Sequence, residues 1–291
     1  MSRFPFPMRR QSVDGSGRRS SGFKMRLIMA AVIALIAVVS YYGMPGDVNQ
    51  ITGESERVAL TEEADEMALG LQALPQVMDQ HGGPTNDANA QRHVKQIGNE
   101  LVRALAEAIT SDGRQIPYKF DFHLLADPQL VNAFALPGGQ IFITEALYSQ
   151  LETEGQLAGV LGHEVGHVIE RHGNKRMAKD KLFSGLAMAG GVAGGDVESA
   201  RMSQAVAQMV SMKYGRDDEL ASDKWGVKLT AMAGYDPRAM IGVMEVLDRA
   251  GGGGGQPEFF STHPKPANRV EYIEGVIAQE FPQGVPPGLK P

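Results

Sequence analysis

The chain has no cysteine in its 291 residues. That excludes disulfides, thiolate metal ligands, a cysteine nucleophile and an N-terminal lipid-modified cysteine. It does not assign a redox compartment, because disulfide-free proteins live in both kinds. Histidine is scarce, with seven in all, so two of them at a defined spacing carry weight. Positive charge is scarce outside the N-terminus. Residues 1–26 hold seven basic groups (Arg3, Arg9, Arg10, Arg18, Arg19, Lys24, Arg26) and one acid, Asp14. Taking these from the totals of 28 Lys/Arg and 34 Asp/Glu leaves 21 basic and 33 acidic residues, a net charge of −12 for the remainder. An acidic body argues against nucleic acid as a partner. The 43% hydrophobic content is ordinary and sufficient for one large domain or two small ones.

One uncharged apolar run approaches bilayer length. Leu27–Met44 reads LIMAAVIALIAVVSYYGM, and with Met25 it nears the roughly 20 residues a membrane-spanning helix needs. Tyr41 and Tyr42 stand at its far end, where aromatic side chains favour the interface. A buried core helix would carry a polar stripe, and a cleaved signal would be followed by small residues at its cleavage site; this run shows neither. The reading is a basic cytoplasmic tail over 1–24, a transmembrane anchor over 25–44 and a folded domain over 45–291, on the far side of the membrane. In a bacterium that side is the periplasm. An Arg/Ser-rich, acid-poor N-terminus also leaves a mitochondrial setting open.

After a short linker over 45–53, helices are predicted over 55–78 and 88–109, separated by His81-Gly82-Gly83-Pro84. Val94, Ile97, Leu101, Leu105 and Ile109 give the second its apolar face. Between 118 and 144 the period changes to strand-like alternation, with two apolar runs on either side of Pro137-Gly138-Gly139. His81 and His93 read as surface residues and His123 as a solvated strand residue.

Residues 163–167 read His-Glu-Val-Gly-His, preceded by the capping pattern Thr153…Gln156. Four-residue spacing puts both imidazoles on one side of a helix, within reach of one metal ion, and the glutamate after the first is the general base of the zinc-hydrolase signature. A catalytic zinc needs a third protein ligand and an open position. Glu219 is the leading candidate, with Asp223 one turn later as hydrogen-bond acceptor for a ligating histidine. His172 falls one residue short of the six-residue spacing of metzincin zinc proteases, where Gly173 stands, and reads as structural. Gly159, Gly162 and Gly166 form a stripe that implies close approach by neighbouring backbone. Gly185–Gly195 reads as a loop or helix tip too short to span a bilayer, and Gly251–Gly255 as a flexible loop.

The order of motifs resembles the M48 family of membrane-associated zinc metallopeptidases. The resemblance rests on Asn132-Ala-Phe-Ala-Leu-Pro-Gly-Gly139, His163-Glu164-Val-Gly-His167 with Arg171-His172, and Glu219 to Asp223, followed by Gly234-Tyr-Asp-Pro237 and Ser261-Thr-His-Pro264 with Arg269. It implies an α+β, zincin-like fold, mostly helical, with a small sheet beside the HExxH helix and one transmembrane helix in front. It implies one Zn²⁺ held by His163, His167 and Glu219, Glu164 as general base, and His263 and Arg269 as oxyanion donors, with Asp223 completing the catalytic set. His263 equally fits a turn residue or a group that swings onto the metal and blocks it. Asn132, Ala133, Phe134 and Ala135, if on a sheet edge, could pair with an extended substrate. The family often carries a charged residue where Ala221 stands, which is not a ligand position. The implied activity is endopeptidase action on misfolded or unassembled envelope proteins at the bacterial inner membrane. Hydrolysis of cell-wall peptides and a chaperone role with secondary peptidase activity are the alternatives.

Overall fold

The computed structural model describes residues 17–44, 46–194, 214–251, 259–263 and 268–291. Most of the basic tail, and Gly252–Gly255 of the glycine run, lie outside these. The chain divides into two compact units, Met1–Gly43 with Lys181–Gln208, and Met44–Asp180 with Met209–Pro291.

In the first unit, α1 (Gly17–Tyr42) contains a 21-residue stretch, Gly22–Tyr42, with mean hydropathy 2.2. Its large side chains are mostly exposed, as a lipid-facing helix requires. The described end of α6 (His172–Gly194) belongs to the same unit, so the Gly185 segment is helical rather than a loop.

The second unit is mostly helical with small sheets. It opens with β1 (Asp47–Val48) and β2 (Ser55–Glu56), paired antiparallel, and α2 (Glu63–Gln80) follows. Residues 46–53 of the expected linker and the first eight residues of the expected helix are therefore an ordered arm. The physical reason is long-range. Asn174 Oδ1 accepts the backbone N–H groups of Ala59 (2.7 Å) and Leu60 (2.9 Å), and Asn49 Nδ2 donates to the carbonyl of Ile169 (2.7 Å). Lys175 pairs with Glu56 at 2.6 Å. At the same elbow Arg171, buried and left-handed at φ 52°, binds Glu66 through Nε (2.7 Å), Asp47 through Nη1 and the carbonyl of Leu60 (2.8 Å). A non-glycine residue in that conformation costs on the order of 1 kcal/mol or more, which these bonds offset.

Helix α3 (Ala88–Thr110) matches the sequence reading closely. Asp87 caps it by accepting from the N–H groups of Asn89 and Ala90, and Val94, Ile97, Leu101, Leu105 and Ile109 are buried. A methyl at Gly98 would come within 2.4 Å of the Phe122 ring, so α3 lies directly on the sheet. That sheet has the order β3–β5–β4, with β3 (Asp121–Leu125) parallel and β4 (Ala133–Leu136) antiparallel to β5 (Gln140–Thr144). Gly138 and Gly139, at φ 82° and 107°, make the turn that Pro-Gly-Gly implied. His123 is largely covered rather than solvated, its side chain 11% exposed. It stacks on Phe142 and bonds Gln140 at 2.9 Å.

A one-turn helix α4 (Glu145–Tyr148) leads to α5 (Glu154–Ile169), which packs along β4 and β5. Thr153 accepts from the N–H of Gln156, as the capping pattern implied, while the Gln156 side chain turns to the N–H of Glu152 instead of closing the box. Every residue of α5 from Gly155 to Ile169 is buried. Such a helix needs neighbours on all sides. They are the sheet, α3, α7 (Arg216–Met232) and α8 (Ala239–Gly251). The short α9 (Phe259–Thr262) and α10 (Arg269–Glu280) complete the unit. The α+β fold with a small sheet beside the HExxH helix is thus the one the sequence implied.

Candidate metal centre

The glycine stripe on α5 sets the spacing of the centre. A Cβ at Gly162 would lie 3.3 Å from Gly226 Cα, and one at Gly166 would lie 3.1 Å from Ser222 Cα and 2.9 Å from Trp225 Cβ. Backbone therefore meets backbone where α5 crosses α7, and the third carboxylate is carried on that crossing. Glu219 sits in the first turn of α7 beside Asp217 and Asp218, where acidic groups complement the helix dipole. Asp223 follows one turn later on the same face, and both are fully buried.

Side-chain atoms of His163, His167, Glu219 and His263 converge, all lying within 4.8 Å of one another. His163 Nε2 is 3.1 Å from His167 Nε2 and 3.7 Å from Glu219 Oε2, and His167 Nε2 is 3.5 Å from Glu219 Oε1. His263 Nδ1 is 3.1 Å from Glu219 Oε1 and 3.5 Å from His163 Nε2. Donors about 2.0–2.1 Å from a tetrahedral ion lie roughly 3.3–3.4 Å from one another, so these separations fit Zn²⁺.

Orphaned polar atoms argue the same way. Both carboxylate oxygens of Glu164, Glu219 Oε2 and His263 Nε2 are buried without a hydrogen bond. Unpaired buried charge costs several kcal/mol, and a divalent cation with its water offsets it. The imidazole–carboxylate donor set suits zinc chemically, too.

Outer contacts fix the tautomers. Asp223 Oδ1 accepts from His163 Nδ1 at 2.9 Å, leaving Nε2 as the ligand atom. Arg269 donates twice to Asp223, from Nε and Nη2 at 2.7 Å each. Burial opposes ionisation of Asp223, but the Arg269 guanidinium and the His163 bond hold its carboxyl below the usual range. His167 Nδ1 meets His172 Nδ1 at 2.9 Å, and Ser222 Oγ reaches the same nitrogen at 3.3 Å, so His172 backs a ligand and does not join the donor set. Burial keeps His167 neutral to well below its ordinary pKa, the form that binds metal. Burial also raises the Glu164 carboxyl.

Of the expected oxyanion donors, His263 stands within the donor set, its Nε2 3.7 Å from Glu164 Oε1. Phe259 stacks on it at 4.5 Å, and its own N–H bonds the Phe259 carbonyl at 2.7 Å. Arg269 lies behind the centre, with Nη1 3.3 Å from Glu219 Oε2. Pro264 lies outside the described residues. Strand β4 is the edge of its sheet. Asn132 pairs with Thr144, which turns the backbone groups of Ala133 and Ala135 away from β5, while Phe134 stacks on Phe142. A small void between Ala135, Leu136, His167 and Tyr214 and the Arg171–Asn174 elbow adjoins one end of that strand. His81 and His93 stand apart, near Asp127 and Tyr148 respectively.

Tyr214 is the residue that the sequence reading missed. Its ring stacks on His167 at 4.1 Å and approaches His263 at 5.3 Å. The available signal was an aromatic residue five positions before Glu219, too weak without the three-dimensional contact.

Residues 89–277 match the model of peptidase family M48. Among curated relatives, the mitochondrial metalloendopeptidase OMA1 of Arabidopsis thaliana is 33% identical over 150 residues, covering 52% of this chain and 30% of the relative. The corresponding protein of Schizosaccharomyces pombe is 32% identical over 181 residues, 61% of this chain and 51% of the relative. The beta-barrel assembly-enhancing protease of Escherichia coli K12 is 26% identical over 181 residues, 59% and 37% respectively. The matched stretches thus span about a third to a half of these relatives' lengths.

Proposed function

The chain belongs to peptidase family M48, and on that premise we propose that it is a zinc-dependent endopeptidase, membrane-anchored through α1, that cleaves misfolded or unassembled proteins of the cell envelope. The observation that carries this reading is the buried donor set of His163, His167 and Glu219 with Glu164 beside it.

Bound there, Zn²⁺ supplies Lewis acidity, polarising a peptide carbonyl and acidifying water. Glu164 takes the proton of the attacking water on a carboxylate oxygen and passes it to the leaving amine. Asp223 holds His163 in the ligating tautomer, and Arg269 holds Asp223 and Glu219 in place. With two of its nitrogens on Asp223, Arg269 acts here through positioning rather than on the oxyanion. Ala133 and Ala135 offer backbone groups to an extended peptide laid antiparallel on β4, a recognition mode tolerant of side-chain sequence. That tolerance suits unfolded substrates. The positive flank of α1 favours a cytoplasmic N-terminus, which supports a catalytic domain on the periplasmic side of a bacterial inner membrane.

The test uses the full chain in detergent with casein and, separately, with peptidoglycan. Casein cleavage is expected, lost on chelation and restored by Zn²⁺. Cleavage of peptidoglycan with casein left intact would transfer the assignment to cell-wall peptides, and inertness toward both would favour the scaffold reading.

The position of Nδ1 among the metal donors supports a blocking role for His263. Lying 3.1 Å from Glu219 Oε1 and 3.5 Å from His163 Nε2, it would compete with water as a fourth donor to a metal held there. His263→Ala is therefore expected to raise casein cleavage per bound zinc while weakening zinc affinity. A fall in turnover of about 10²-fold with affinity unchanged would make His263 an oxyanion donor instead.

A further inference from the structure

The end of α6 does not resemble the surface of a water-soluble domain. Leu182–Gly195 contains no charged residue, and the exposed Lys179 and Lys181 stand immediately before it. Within the described part, Ala187 and Ala189 are buried while Met188 between them is 53% exposed.

The first helix of the same unit also has a covered face. On α1, Ala30, Ile33, Ala34, Ala37 and Tyr41 are buried or half-buried, whereas Leu35, Ile36 and Val39 are exposed. The covered positions recur at three and four residues, so they form one face. Ala37, on that face, meets α6. A Cβ built at Gly185 would fall 2.6 Å from Ala37 Cβ, so glycine is what permits the approach. Close contact through small residues is how helices associate inside a bilayer, where apolar burial gives no advantage over lipid.

The depth of this contact follows from helix geometry. Ala37 lies five residues before Tyr42, the end of the candidate span, or about 7–8 Å along the axis at 1.5 Å per residue. Gly185 then lies within the hydrocarbon. Lys181, one turn earlier on α6, falls near the headgroups, where a lysine can extend its ammonium toward lipid phosphates. The 13 residues Leu182–Gly194 extend about 20 Å as a helix, short of the roughly 30 Å core.

We propose that Leu182–Gly194 is a second membrane-embedded segment, packed on α1 through Gly185 and Ala37, with Lys181 at an anionic lipid surface. This rests on α1 being a membrane anchor, and the test separates the two. The chain is free of cysteine, so single cysteines can be placed and labelled with an environment-sensitive fluorophore. The variants are Leu35→Cys on α1, Met188→Cys on α6 and Lys224→Cys on α7, all at exposed positions. Each full-length variant is reconstituted into vesicles of phosphatidylcholine and phosphatidylglycerol. Quenching is then compared between nitroxide-bearing lipid and aqueous iodide, with casein cleavage monitoring the fold. The expected result is that Leu35→Cys and Met188→Cys are quenched by the lipid nitroxide and shielded several-fold from iodide, with Lys224→Cys showing the reverse. A Met188→Cys probe quenched by iodide while Leu35→Cys remains in lipid would overturn the inference and leave the anchor intact. Both probes in water would remove the anchor, and the inference with it.

Discussion

Glu164→Gln should leave the zinc content of the purified chain unchanged and lower casein cleavage by about 10²–10⁴-fold, the contribution expected of a positioned general base. The substitution is nearly isosteric and leaves His163, His167 and Glu219 in place. Glutamine fills the same buried volume, yet its amide cannot accept the proton that a carboxylate takes. Glu164 has no hydrogen bond to lose, so the variant should fold as the parent does. Zinc is measured by elemental mass spectrometry on the same sample that is assayed. Undiminished cleavage by a zinc-loaded Glu164→Gln protein would eliminate the mechanism.

Glu219→Ala is expected to act on the metal itself. It removes the only carboxylate of the donor set and leaves histidines alone to neutralise a divalent ion. Zinc affinity should fall further than the roughly 10–100-fold typical when an outer partner such as Asp223 is lost. Arg269 Nη1 also loses its acidic neighbour, leaving Asp223 alone to compensate the buried guanidinium, which weakens the fold. Glu219→Gln retains the shape and a hydrogen-bond acceptor, so it separates weakened metal binding from unfolding. Competition against a chromophoric chelator reads the affinity. Equal values for Glu219→Gln and the parent chain would send the search for a third ligand elsewhere.

The parts of the centre that were legible in the sequence are those held by local rules. Helix α5 announces itself through Thr153 and the His163–His167 spacing, and α3 through the buried series from Val94 to Ile109. The Pro137-Gly138-Gly139 turn needs left-handed glycines and was equally readable. The parts that escaped depend on contacts between positions well apart in sequence, two of them more than a hundred residues apart. Nothing near Ala59 tells that Asn174 will take its N–H, and nothing near Asn49 points to the carbonyl of Ile169. His123 alternates onto what looks like a wet face, yet Phe142 and Gln140 enclose it. Tyr214 shows its part only once His167 is folded beneath it.

The arm over residues 47–66 bears on where this enzyme can be cut. The stretch matching the family starts at residue 89, which invites truncation there. Cleavage at that point would strip Glu66 and Asp47 from Arg171 and uncover the elbow joining the HExxH helix to α6. Removing the partners of a buried charge typically costs about 3–5 kcal/mol, a large share of a domain's whole stability. A fragment that keeps these partners of Arg171 is therefore expected to begin at or before Asp47. The family match thus marks less of the chain than Arg171 needs, and the arm before it is part of what holds the elbow.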